Sequence, residues 1–364
     1  MKVLISSITD SGVFRVRKEL ICILLQEGHD VVVVAPESGM SKPIIDLGCT
    51  FVPIKVDAHG LNPLKDARVI WDYWKTLKKV RPDVVLTFTI KPNLYCGFIC
   101  HIMKIPQVMN ITGFGTLAYP GIKQGILVNM YRVVAKKVKL IFFQNQSNLR
   151  QFRDWHIASE SQYHLLPGSG VNLSQFVATP YPSDNKGVHF LFISRILKEK
   201  GIDNYLEAAK IIKGRHSETY FHILGNAENG YESLIEKGVK EGDVIYHGRV
   251  SNVVDFHRMS HCTILPSYYP EGICNVLLEA AASGRPVITT DHPGCRETVE
   301  NGETGYLVRP NDTKDLVEKI EMFLKLTNDE RALMGQKGRR KMEREFDRQI
   351  VVDAYMEVVK ENLR

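Results

Sequence analysis

Glu271 and Glu279, two carboxylates eight positions apart, delimit the stretch of this chain best equipped for chemistry. The run reads Glu271-Gly-Ile-Cys-Asn-Val-Leu-Leu-Glu279 and continues through Ala280-Ala-Ala282 to Ser283-Gly284-Arg-Pro286. Good helix formers from Val276 to Ala282, a Gly just past them and a Pro soon after predict a helix. Before it, Cys262-Thr-Ile-Leu-Pro-Ser267 reads as a strand entering a loop. Glu271 then falls in the loop at the helix N-terminus, with Glu279 about one turn inside. A helix N-terminus favours anions through its unpaired N–H groups and its dipole. A carboxylate just behind it can accept from both hydroxyls of a ribose, and one in the loop can reach a sugar. The plainer alternative is a solvated Glu279 and an N-capping Glu271. Against it, Glu279 has apolar neighbours on every side and no Lys or Arg at helical spacing to pair with.

A second constellation lies upstream. His189-Phe-Leu-Phe-Ile-Ser-Arg195-Ile-Leu-Lys-Glu-Lys200-Gly201 is a buried strand running into an exposed loop that carries two cations. Arg195 offers a fork of donors and Lys200 a compact charge, a pair suited to phosphate oxygens. The two segments together resemble the Glu, seven residues, Glu signature and the strand, Arg, Lys-Gly signature of glycosyltransferase family 4, retaining enzymes with the GT-B fold. Smaller matches at Leu224-Gly225-Asn226, Tyr246-His247-Gly248-Arg249 and Asn301-Gly-Glu-Thr-Gly305 extend the resemblance over nearly the whole chain.

The resemblance implies an α/β architecture of two Rossmann-like parallel-sheet domains facing a cleft. It implies that Arg195 and Lys200 hold a donor diphosphate, with the helix end at Asn275, Val276 and Leu277. Glu271 is then assigned to donor-sugar hydroxyls, Glu279 to the ribose, and the backbone around Gly225, Gly248 and Arg249 to the base. Gly12, in the first loop, would let backbone approach the diphosphate. No Asp-x-Asp occurs, so no metal clamp is expected, and no cofactor. One departure stands out: many members place a His after the fifth strand. Here the region reads Met109-Asn-Ile-Thr-Gly-Phe-Gly115, with Thr112 where that His would fall, so no general base is assigned. Thr112-Gly113-x-Gly115 is similar instead to bacterial enzymes that extend sugars on undecaprenyl diphosphate. Phe14-Arg15, Leu61-Asn62-Pro63 and Lys91-Pro-Asn93 share that similarity, which puts Arg15, Asn62 and Lys91 on the acceptor side. Gly113-Phe-Gly-Thr-Leu-Ala118 also fits a dinucleotide fingerprint. Pro120-Gly121 breaks the helix that fingerprint needs, and no acid ends the next strand, so NAD binding is rejected.

These residues need a scaffold, and the pattern supplies one. Strands are expected at Val3–Ile8, Asp30–Ala35, 81–89 and Gln107–Ile111, with helices over Phe14–Glu27 and Asp66–Lys79. The pattern restarts at His189–Ser194, with strands near 220–224, 243–246, 263–265 and 286–290. Continuous apolar runs separated by helices indicate parallel sheets covered on both faces. Leu166-Pro-Gly-Ser-Gly-Val171 and Thr179-Pro-Tyr-Pro-Ser-Asp184 read as linker and hinge. The chain is therefore divided into an acceptor-binding domain at 1–168, a donor-binding domain at 169–345 and a last helix, 346–364, that the fold resemblance packs back on the first domain.

Composition narrows the class further. At 364 residues and 44% hydrophobic content the chain supports two full cores, which excludes disorder. An odd count of seven Cys with no Cys-x-x-Cys pair argues for reduced thiols and against a zinc site. No run approaches the roughly 18 apolar residues of a membrane span, and Met1–Ser7 is too short for a signal peptide. Residues 1–168 carry 21 Lys+Arg against 12 Asp+Glu, net +9, while the remainder is net −3. No acid occurs between Asp83 and Asp154, against nine Lys or Arg. Such asymmetry points the first half at something anionic. Within it, Lys123–Leu140 reads as a helix with Arg132, Lys136 and Lys139 on one face and Ile126, Met130, Val134 and Val138 opposite. Such a helix can pack on the sheet with a solvated basic face or lie on an anionic membrane; the acid-free surroundings favour the membrane. The expected protein is a cytoplasmic enzyme, peripheral on the inner face of the cell membrane. It moves a sugar from a nucleotide-diphosphate donor, read as a UDP-sugar with an N-acetylhexosamine among the candidates, to a polyprenyl-diphosphate-linked glycan. No nucleic acid is expected as a partner. The competing readings are a nucleotide-sugar epimerase of the same fold and a non-catalytic sugar-nucleotide-binding assembly partner.

Overall fold

Strands that are apolar on both sides must be sandwiched, and both sheets of this protein are. The computed structural model describes residues 1–56, 63–115, 120–228 and 230–361. The chain forms two compact units, Met1–Ser169 with Gln349–Arg364, and Gly170–Arg348.

The first unit contains β1 (Lys2–Ser6), α1 (Asp10–Gln26), β2 (Asp30–Ala35), α2 (Ser41–Asp46), β3 (Thr50–Pro53), α3 (Pro63–Val80) and β4 (Val84–Phe88). It continues with α4 (Gly97–Met103), β5 (Gln107–Ile111), α5 (Ile122–Val134), β6 (Leu140–Phe143), α6 (Gln146–Asp154) and β7 (Tyr163–Leu165). All seven strands pair in parallel in the order β3-β2-β1-β4-β5-β6-β7. Alternate residues of each strand feed opposite layers. Leu4, Val32, Val85 and Met109 pack under α3, α4 and α5. Val3, Ile5, Val33 and Leu86 pack under α1, α2 and the chain's last helix.

The second unit runs β8 (Val188–Ile193), α7 (Ile202–Arg215), β9 (Thr219–Leu224), α8 (Tyr231–Glu241), β10 (Ile245–Tyr246), α9 (Val254–Met259) and β11 (Cys262–Leu265). Then follow α10 (Asn275–Ala282), β12 (Val287–Thr290), β13 (Gly305–Val308), α11 (Thr313–Lys325) and α12 (Asn328–Glu345). The final helix, α13 (Arg348–Glu361), places Val351, Val352, Tyr355, Met356 and Val359 in the first unit's core. The second sheet is also parallel, in the order β10-β9-β8-β11-β12-β13. Two Rossmann-like units, each with one topological switch point, make up the architecture.

Several expectations need correction. Helix α1 starts at Asp10, where Thr9 caps it by accepting from the Gly12 N–H at 3.1 Å. Gly12 is thus in a helical turn and not in the loop. β3, β6, β7 and β13 were not anticipated. The basic helix expected over 123–140 stops at Val134, and β6 begins at Leu140, so Arg132, Lys136 and Lys139 do not share a helical face. Its buried side is Leu127, Val128, Tyr131 and Val134, while Ile126 is exposed. The segment expected as a hinge at Thr179–Tyr181 is clamped within the second unit by Arg285, which is fully buried. Its guanidinium donates to Thr179 O and Oγ1, Pro180 O, His257 O and Arg258 O at 2.7–3.2 Å. Burial pulls its pKa down to about 10, leaving it charged at neutral pH. All seven cysteines are free thiols, and all but Cys22 are buried.

Candidate functional site

Where strand order reverses, the loops leaving two adjacent strands diverge and open a crevice at their carboxyl ends. In the second unit that point lies between β8 and β11. The loop after β8 carries Arg195 and Lys200, and the loop after β11 carries Tyr269 and Glu271. The two loops touch at Gly201, whose left-handed φ of +78° starts α7 and where a Cβ would stand 2.2 Å from Pro266 O. Backbone Tyr268 N–H to Glu199 O, at 2.8 Å, ties them again.

Lys200 is buried, against the expectation of an exposed loop. Its ammonium donates to Glu271 Oε1, with only 8% of the Lys and 22% of the Glu side chain exposed. Burial disfavours the charge on Lys200, but the Glu271 carboxylate more than offsets it and holds the pKa above the usual value. The Tyr269 ring centre lies 5.0 Å from Lys200 Nζ and 5.7 Å from Arg195 Cζ, so one aromatic ring is within cation–π reach of both. Arg195 is the accessible member: it is half-exposed and lies 3.6 Å from Glu228.

Glu271 is shaped from behind. Gly294, at φ +91°, lets its backbone approach so closely that a Cβ there would meet Gly272 O at 2.4 Å. Cys274 N–H donates to Gly294 O at 2.9 Å, and α10 starts one residue later. Asn275 Oδ1 is buried and without a hydrogen-bond partner among the described residues. Val276 is half-buried, and the Leu277 side chain is in the core, leaving its backbone for any ligand contact. Glu279 is 23% exposed, and in space the imidazole of His257 joins the apolar residues that flank it in sequence. His257 Nε2 stands 3.9 Å from its carboxylate, beyond hydrogen-bond reach. That ring is fully buried with both nitrogens unpartnered among the described residues.

The strand ends beside this crevice are tied by glycines. Gly225, at φ +138°, sits so close to the end of β8 that a Cβ would lie 1.7 Å from Ser194 O. Its N–H donates to Gly248 O at 2.8 Å, and the Tyr246 hydroxyl donates to its carbonyl at 2.8 Å. Gly248 is left-handed with open space around it, and Arg249 is exposed. Beneath them runs a ladder of imidazoles: His189 Nδ1 to His222 Nε2 and His222 Nδ1 to His247 Nε2, both 2.9 Å. His261 Nδ1 accepts from the His189 backbone N–H at 3.0 Å. Burial pushes His222 down to about 3 and His261 to about 4, with neighbouring His189 adding to both shifts. Unfolded, these rings take up protons below about pH 6.5; folded, they resist until about pH 4. Stability should therefore be flat above pH 7 and fall on going from pH 6.5 to 5, by up to about 1.4 kcal/mol per pH unit per ring. Urea midpoints at pH 7.5, 6 and 5 check this, and a flat profile would contradict a neutral ladder.

Other expected residues are placed in the first unit. Gly12 and Arg15 lie on α1, with Arg15 exposed. Lys91 is buried in an ion pair with Asp66 at 3.0 Å, not open at a surface. Thr112 and Gly113 (φ +118°) follow β5 directly and are half-buried. Asn62 lies outside the described residues. Arg132 donates to Trp155 O from Nε at 3.0 Å and Nη2 at 2.9 Å, Lys136 is exposed, and Lys139 is 3.5 Å from Glu361. Among the described residues no cluster of three or more His, Cys, Asp or Glu is arranged to hold a metal ion. Tyr269, Glu228 and His257 were missed. Tyr269 could have been noticed as an aromatic two residues before Glu271; the other two carry no sequence signal.

Residues 178–341 match the family described as Glycosyl transferases group 1, and residues 2–145 match that described as Glycosyl transferase 4-like. A Campylobacter jejuni N,N'-diacetylbacillosaminyl-diphospho-undecaprenol alpha-1,3-N-acetylgalactosaminyltransferase is 25% identical over 96% of this chain and 95% of its own. An Escherichia coli UDP-Gal:alpha-D-GlcNAc-diphosphoundecaprenol alpha-1,3-galactosyltransferase is 24% identical over 85% of this chain and 84% of its own. Among solved structures, Anabaena HepE in complex with UDP and glucose superposes with a TM-score of 0.80, at 16% identity, over 99% of this chain and all of that one.

Proposed function

Since the chain belongs to the family 4-like glycosyltransferases of GT-B fold, we propose that it transfers a sugar with retention from a UDP-sugar to a polyprenyl-diphosphate-linked glycan. The observation that carries this reading is the cluster at the β8/β11 switch point: Lys200 paired with Glu271, and Tyr269 under Lys200 and Arg195. The bond from the sugar C1 to the diphosphate oxygen breaks, the acceptor oxygen bonds to C1, and the acceptor proton goes to the nucleoside diphosphate or solvent. Charge grows on the leaving phosphate, where a desolvated cation has its largest effect. Arg195, half-exposed and free to exchange a 3.6 Å contact with Glu228 for phosphate, and Lys200 supply it without a metal ion. Glu271 accepts from donor-sugar hydroxyls, and Glu279 from the ribose.

Two relatives support acceptor and stereochemistry. Both names specify an undecaprenyl-diphosphate-type substrate and an alpha-1,3 product, one of them from UDP-Gal. UDP-Gal is itself α-linked, so an α product is retention. An anionic membrane surface is the remaining partner, supported by the +9 and −3 division of charge. The setting is bacterial surface glycan assembly at the inner face of the membrane. Melting-temperature shifts across a panel of nucleotide sugars, followed by transfer to a polyprenyl-diphosphate acceptor, test the reading. Stabilisation by none of the nucleotides would remove it.

The two carboxylates should separate. Glu279→Ala is expected to raise the Kd of UDP about tenfold, the loss of one charged hydrogen bond. Glu271→Gln keeps an acceptor for buried Lys200, so UDP affinity should stay within about twofold while transfer collapses. Equal loss of UDP binding in both would show the two roles to be misassigned.

A further inference from the structure

Apolar side chains on a monomer's surface are ordinary when scattered and informative when collected. In the first unit, most of the large exposed ones fall on a single layer. Leu64 and Trp71 are on α3, Phe98 and Ile102 on α4, and Ile122, Ile126 and Val133 on α5. The three helices cover the same face of the sheet, with α4 between α3 and α5. On α3 the spacing is regular: Leu64, Arg68, Trp71, Lys75 and Lys78 recur every three to four residues on one exposed stripe. Trp71 and Trp74 stack at 4.8 Å, with Lys75 Nζ 5.3 Å from the Trp71 ring and Lys78 Nζ 4.8 Å from the Trp74 ring. Exposed cations ring the layer: Lys65, Arg68, Lys75, Lys78, Lys79, Lys104, Lys123, Arg132, Lys136 and Lys137. The acids on these helices are Asp66, buried against Lys91, and Asp72, half-buried.

We infer that the outer face of α3, α4 and α5 docks on an anionic phospholipid bilayer, with Trp71 and Trp74 at headgroup depth and Lys75 and Lys78 reaching the phosphates. The inference rests on the lipid-linked acceptor proposed above and replaces the single basic helix expected from sequence with a three-helix surface. Charge complementarity argues for lipid: the described residues of these three helices present exposed cations and no exposed acid, which fits a uniformly negative plane. Indole rings, apolar in body with one N–H donor, suit the boundary between acyl chains and water. Lysine stems can lie along apolar surface while the ammonium stays wet. Protein-binding surfaces, by contrast, are depleted in Lys.

The test is flotation of the full chain with vesicles of phosphatidylglycerol and phosphatidylethanolamine, and with phosphatidylcholine alone, at low and physiological salt. Wild type should float with the anionic vesicles, less at higher salt, and not with the neutral ones. Trp71→Ser with Ile126→Ser, and separately Lys75→Gln with Lys78→Gln, should each weaken binding about tenfold. These positions are exposed, so melting temperatures should match wild type, and transfer to a short water-soluble acceptor should be retained. Absence of flotation at low salt, undiminished binding by both variants, or dimerisation through this face without lipid would each overturn the inference. Transfer to the soluble acceptor without vesicle binding would end the docking claim and leave the proposed reaction standing. Vesicle binding without transfer to a polyprenyl-diphosphate acceptor would do the reverse.

Discussion

Replacing Lys200 by Ala is expected to lower turnover by two to three orders of magnitude and to cost stability as well. The first effect is the loss of a preorganised cation beside the leaving diphosphate, worth roughly a hundred- to thousandfold. The second follows from burial: without Lys200 the Glu271 carboxylate, 22% exposed, loses its counter-ion. Breaking such a pair from one side costs about 3–5 kcal/mol, or a melting-temperature drop of about 10 °C in a domain of this size. Arg195→Ala is the contrast. Its contact with Glu228 is between half-exposed groups at 3.6 Å, worth at most about 1 kcal/mol, so turnover should fall about a hundredfold with melting unchanged. Lys200→Met with Arg195→Ala keeps the volume at the buried position and removes both charges. Wild-type turnover in that double variant, measured with saturating UDP-sugar, would sink the donor-site assignment.

Gly225→Ala should be nearly as damaging, through backbone alone. A Cβ at this position would lie 1.7 Å from Ser194 O, and φ of +138° is itself hostile to any L side chain. Because the obstacle is main chain, relief must come from moving the end of β8, and Arg195 is the next residue. The Gly225–Gly248 and Tyr246–Gly225 hydrogen bonds would be strained in the same movement. A loss of about 3 kcal/mol or more together with at least tenfold weaker UDP binding is expected, read by urea unfolding and by calorimetric titration. Gly248→Ala is the control: it also has positive φ but nothing within 4 Å, so its cost should be near 1 kcal/mol. Equal effects at the two glycines would show that strain, not the Ser194 contact, governs this loop.

The parts legible in the sequence are those written locally. Asp30-Val-Val-Val-Val-Ala35 and His189-Phe-Leu-Phe-Ile193 are too uniformly apolar to be anything but covered strands, and both are. The helix after Glu271 also follows from local cues, a Gly at its end and a Pro beyond. The missed strands lacked such cues. Thr50–Pro53 is a half-exposed edge ending in Pro, and Gly305–Val308 is only four residues long. Leu140–Phe143 was hidden by the helical periodicity running into it from α5, which extended a helix six residues past its end. Within the site, Lys200 read as solvated because a charge so near a Gly usually is. Its burial depends on Glu271, 71 residues later, and on Tyr269, neither of which local spacing reveals. His257 against Glu279 is likewise a product of folding, brought together by the buried Arg285 holding the C-terminal end of α9.

The packing of α13 bears on how the molecule is made. Val351, Val352, Tyr355, Met356 and Val359 share a core with Val3, Ile5 and Val33. The Tyr355 ring contacts Phe88 and Phe142, and its hydroxyl accepts from Asn110 at 2.7 Å. Domains emerging from the ribosome generally fold in the order they are synthesised. Here the unit begun first is the one that waits: α13, one of three helices covering that side of its sheet, is made only after the whole second unit. The second unit, continuous in sequence, has its whole core available earlier. A chain released without α13 would hold the second unit's core complete while the first unit still exposed the apolar surface around Phe88 and Phe142, which is where a chaperone would find its binding site.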